Sequence, residues 1–67
     1  MMVEIMTPAG RVAPGTRIRI LRMEDRYTPE PYDGREGTVD YIDSVGQLHG
    51  SWGGLAVIPY EDEFEIL

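Results

Sequence analysis

The chain contains no cysteine and no lysine. Without cysteine there is no disulfide and no thiolate metal site, which fits a reducing compartment. Without lysine, all six positive side chains are arginine, set against 12 acidic ones for a net charge of −6. Sequence-independent binding to nucleic acid works by neutralising phosphates, so this balance argues against direct nucleic-acid binding. It favours a basic partner, or solubility alone. No run approaches the ~20 apolar residues that a membrane-spanning helix requires. The opening residues carry Glu4 where a secretory signal would carry positive charge. A cytoplasmic protein without membrane contact is the expectation. His49 is the only histidine, so no His/Cys spacing offers a metal site. Asp43, Ser44, His49 and Ser51 supply the letters of a triad and nothing of its spacing. A chain of 67 residues has room for one domain and little room for a deep pocket, so neither enzymatic activity nor a cofactor is expected.

What is present is a rhythm of turns. Gly34–Gly37, Ser44–Gly46, Gly53-Gly54 and Pro59 recur every six to nine residues, with a short β-type run in each gap. Several short strands at that spacing read as a small all-β barrel or sandwich. The clearest strand is Thr16–Met23, where Ile18 and Ile20 share one face and Arg17 and Arg19 the other. After Ile20 the apolar phase moves to Leu21 and Met23, which predicts a β-bulge, or a strand that leaves one sheet and curls into the next. Further strands are expected at Thr38–Asp43, Gln47–Trp52, Leu55–Ile58 and Phe64–Leu67. Gly53-Gly54 predicts a type I′ hairpin turn, and Tyr60-Glu61-Asp62 a single 3₁₀ turn before the last strand. Gly50 predicts a close approach by Trp52 or a crossing backbone. Residues 1–15, broken by Pro8, Gly10, Pro14 and Gly15, read as an N-terminal arm. It is either loose or an edge strand through which two copies could pair as a homodimer.

Glu24–Glu36 is long for a connection in so small a domain, where ~4–6 residues are usual. Tyr27, Pro29, Pro31 and Tyr32 of this loop, set beside Tyr60, would line an aromatic groove of the kind that receives extended peptides. That makes the leading expectation a non-enzymatic protein-interaction module. The acidic cluster Glu61, Asp62, Glu63 and Glu65 supports an alternative, in which its carboxylates imitate phosphates and inhibit a host nucleic-acid enzyme. The competing structural reading is a solvated edge, with Arg17 and Arg19 facing Glu63 and Glu65 across neighbouring strands.

The order of elements over residues 16–67 resembles a five-stranded SH3-like barrel with a long first loop, in which the first and last strands lie side by side. At the level of motifs the chain resembles a family of short bacterial and phage proteins described as a domain of unknown function. The carrying residues are Gly15-Thr-Arg-Ile-Arg19, Met23-Glu-Asp-Arg-Tyr-Thr-Pro29, Gly34-Arg-Glu-Gly-Thr-Val39, Gly46-Gln-Leu-His49, Trp52 and Ile58-Pro-Tyr-Glu-Asp-Glu-Phe64. The resemblance implies an SH3-like barrel and a phage or mobile-element setting; the inhibitor alternative would be an anti-CRISPR or anti-restriction factor. It brings no assigned active site.

Overall fold

Alternating Ile18 and Ile20 create the central strand, and the rest of the fold assembles on it. The computed structural model describes residues 2–23 and 32–67. Six strands follow in chain order: β1 (Ile5–Thr7), β2 (Gly10–Val12), β3 (Arg17–Arg22), β4 (Glu36–Ile42), β5 (Leu48–Gly50) and β6 (Glu63–Ile66). β1 and β2 form a two-stranded hairpin, and the other four form an antiparallel sheet in the order β5-β4-β3-β6. The described residues contain no helix, so none is long and apolar enough to cross a membrane. The all-β class is as expected, and so is the pairing of the first long strand with the last. The five-stranded closed barrel is not: among the described residues there are six strands in two sheets, and the sheet does not close. Part of the difference lies at Leu55–Ile58, where only Val57 pairs, in an isolated bridge to Leu48.

Two bulges shape the sheet. On β3, Ile20 faces Phe64 and Arg22 faces Glu63, so Leu21 is the extra residue. This is the bulge that the phase shift predicts. On β4, Val39 faces Gly50 and Tyr41 faces His49, which makes Asp40 the extra residue. Strict alternation would put Val39 and Tyr41 on one face and Ile42 on the other. The bulge instead turns both Val39 and Ile42 inward and leaves Tyr41 exposed.

The core consists of Val12, Ile18, Ile20, Val39, Ile42, Leu48, Trp52, Val57 and Phe64. Trp52 and Phe64 are buried, as their strand phases predict. Gly50 explains how the tryptophan fits: a Cβ there would run into the Trp52 ring and the Thr38 carbonyl. The Trp52 indole N–H is not wasted, since it donates to the Leu55 carbonyl at 2.7 Å.

The turns differ from expectation in two places. Gly53 has φ of 145° but Gly54 is not at positive φ, so the pair does not make a type I′ turn, which needs φ > 0 at both. Leu48 and Val57 exchange both backbone bonds across a wider loop. Around Pro59 the chain makes a single hydrogen-bonded turn, with the Ile58 carbonyl accepting from Glu61 at 3.0 Å and from Asp62 at 2.8 Å. The first is the i→i+3 bond of a 3₁₀ turn and the second spans one residue more, so the expected single turn is present and widened at Asp62.

Residues 2–16 are bound into the same molecule. Met2 donates its N–H to Ile42, Gly15 donates to Val39, and Val39 donates to Thr16. Thr7 sets the β1–β2 turn, donating its hydroxyl to Gly10 O at 2.7 Å and accepting from Ala9 N at 3.1 Å. Val12 of this hairpin is fully buried in the core.

Candidate interaction surface

The Ile58–Asp62 turn is locked from both sides. Asp62 donates its N–H to the Ile58 carbonyl, and its carboxylate accepts from Ile58 N at 2.8 Å. The side chain of Asp62 is thereby turned inward, at 7% exposure. With both ends of the turn pinned, Tyr60 at its tip stands out into solvent, 75% exposed. Its hydroxyl donates to the Met6 carbonyl of β1 at 3.0 Å, which fixes the ring against the N-terminal hairpin.

Two open clefts include Tyr60 in their walls. One, of about 420 Å³, runs between the Pro8-Ala9 turn and the 59–64 segment, with Leu21 and Phe64 among its walls. Leu21 reaches it because the β3 bulge displaces it from the ladder. The second, of about 290 Å³, is walled by Met2, Ile5, Met6, Val45, Ile58 and Tyr60. Pro59 and Tyr60 belong to both, so the two clefts meet there.

The expected acidic cluster is distributed among structural duties. Glu65 faces Arg19 and is ion-paired with it, and Arg19 also reaches Glu36 at 3.0 Å. These two carboxylates, Glu36 foremost, raise the Arg19 pKa above its ordinary value. Glu63 faces Arg22 with 3.8 Å between their charged atoms. Arg17 meets Glu36 at 3.6 Å, rather than a residue of the last strand. Asp62 secures the turn, and Glu61 is exposed.

Of the expected loop residues, Tyr27, Pro29 and Pro31 lie outside the described residues. Tyr32 is half-buried, with the Arg35 guanidinium 4.3 Å over its ring. Arg35 also donates to the Trp52 carbonyl at 3.1 Å, and Gly53 leaves the space that the Tyr32 ring occupies. Tyr32 thus packs with Arg35 and Gly53, while Tyr60 packs with β1; these contacts share no residue.

A separate polar cluster sits at the β4–β5 end. His49 and Tyr41 are stacked, with centroids 4.4 Å apart and planes 3° from parallel, and His49 Nε2 lies 2.8 Å from Asp43 Oδ2. Asp43 also accepts from Val45 and Gln47 and so organises the 43–47 turn. His49 is therefore half-buried and partnered. The direct cross-strand placement of Tyr41 and His49 depends on the Asp40 bulge, which period-two alternation does not disclose.

The family described as Domain of unknown function (DUF4314) matches residues 7–67. The chain belongs to this family. The match begins within β1 and takes in the β1–β2 turn, all of β2 and both clefts' Pro59-Tyr60 wall. No curated protein and no solved structure matches the chain.

Proposed function

We propose that this protein is a non-enzymatic protein-interaction module whose contact surface is centred on Tyr60. The observation that carries the reading is an exposed aromatic side chain, hydrogen-bonded to β1, that walls two open clefts. Tyrosine in that position offers a large contact area at small entropic cost, since its hydroxyl and the turn beneath it are already fixed. The motif resemblance over Gly15–Phe64 supports a phage or mobile-element setting. The inhibitor alternative requires Glu61, Asp62, Glu63 and Glu65 to present their charge together, and it has less support. Asp62 is turned inward, and Glu63 and Glu65 face arginines.

Affinity capture from a lysate of the cell in which the protein acts, after nuclease treatment, tests the reading with wild type and Tyr60→Ala. A discrete protein partner lost with Tyr60→Ala and kept with His49→Ala is the expected outcome. Capture indifferent to Tyr60→Ala would sink the proposed surface.

A further inference from the structure

The two clefts beside Tyr60 differ in kind. The walls of the smaller carry no charge at all, and Met6 and Val45 stand 62% and 75% exposed at its edge. The walls of the larger carry three charged residues, and all three are acids: Glu61, Asp62 and Glu63. Asp62 is committed to Ile58 N. Among the described residues no ion pair holds Glu61, and the Glu63–Arg22 contact of 3.8 Å joins side chains that are both more than half exposed. Apolar seat and negative rim therefore adjoin at the shared Pro59-Tyr60 wall.

We infer that these clefts receive an extended basic segment of a partner protein, with an apolar side chain beside Met6 and Val45 and an arginine or lysine beside Glu61. The inference deepens the proposed interaction function and rests on it. Charge decides the occupant. A second copy of this chain would bring its own net charge of −6 to an already acidic rim, and like charges brought together oppose association. A nucleic acid would meet the same repulsion. A basic segment instead gains from steering toward the acidic face and from desolvating apolar surface in the neighbouring cleft. Tyr60 suits the junction, because a guanidinium can lie over its ring while an aliphatic chain packs on the other side. In an extended peptide, residues two apart point the same way and lie roughly 7 Å from each other. An apolar residue followed two positions later by a basic one would present both side chains to the same surface.

Three fluorescein-labelled peptide pools test this against the full chain by fluorescence anisotropy. Each pool fixes a leucine and, two residues on, an arginine, an alanine or a glutamate, with the remaining positions degenerate. The arginine pool should bind about tenfold more tightly than the alanine pool at low salt, and the advantage should shrink at high salt. The glutamate pool should bind least. Val45→Glu should abolish binding of the arginine pool, and Glu61→Lys should remove its advantage over the alanine pool. Both positions are exposed, so circular dichroism should show both variants folded. Equal binding of the three pools, arginine-pool binding indifferent to Val45→Glu, or dimers in sedimentation that disappear with Val45→Glu would each overturn the inference. If no pool binds while Tyr60→Ala still loses the captured partner, the basic-segment inference falls and the interaction function stands. If Tyr60→Ala also has no effect on capture, both fall.

Discussion

Asp43 shows how much one side chain does in this protein. Its carboxylate is held below the usual aspartate range, chiefly by the hydrogen bond with His49 and then by the N–H of Gln47. The unfolded chain therefore takes up this proton first as pH falls. The stability that the carboxylate contributes is complete above the ordinary aspartate value and drains away as pH drops through the lower folded one. Asp43→Asn should lower the urea midpoint at neutral pH, and the gap to wild type should narrow as pH falls below the ordinary aspartate value. A gap constant with pH would remove this assignment. Gly50 acts by having no side chain. Gly50→Ala drives a methyl group into the Trp52 ring and the Thr38 carbonyl and should cost about 1–3 kcal/mol in urea denaturation followed by Trp52 emission. The close approach at Gly50 is legible in the sequence, because a glycine inside a strand beside a tryptophan has few other uses. The inward turn of Asp62 is not legible. In the sequence it is one of four nearby acids, and only its bond to Ile58 N separates a turn lock from a surface charge.

Among the elements, β3 and β6 are readable because each alternates apolar and charged residues, and their facing charges, Arg19 with Glu65 and Arg22 with Glu63, agree with the register. The bulge at Leu21 is visible as a slip in the apolar phase of a single strand. The bulge at Asp40 is not, since Val39, Tyr41 and Ile42 fit an unbroken strand equally well and the choice is made by pairing with β5. The N-terminal hairpin is harder still. Its strands have three residues each, too few to show a period, and are separated by a proline-containing turn. Yet Val12 is fully buried with the core of the main sheet. Val12→Ala should destabilise the whole domain by about 2 kcal/mol, a large share for a small protein. Thermal unfolding followed at Trp52 measures this directly. An unchanged midpoint would mean that the hairpin is dispensable to the core.

At the scale of the molecule, the fold is held by contacts between distant parts of the chain. β3 pairs with β6 from Ile18 to Ile66, and Leu67 donates its N–H to Arg17. Closing so long a loop before any sheet contact rewards it makes folding slow for the protein's size. Stopped-flow refolding followed at Trp52, the single tryptophan, should fall in the millisecond-to-second range. Sub-millisecond refolding would contradict a sheet assembled from non-local pairs. The sequence by itself determines the all-β class, the identity of the two charged strands that flank each other, and the net acidity. These follow from periodicity, turn residues and charge, which are local or additive. Tertiary structure alone decides that the sheet stays open, that the N-terminal residues enter the core, and that Tyr60 walls both an apolar and an acidic cleft. Those outcomes depend on which backbone groups find partners across the chain, and no window of neighbouring residues contains that information.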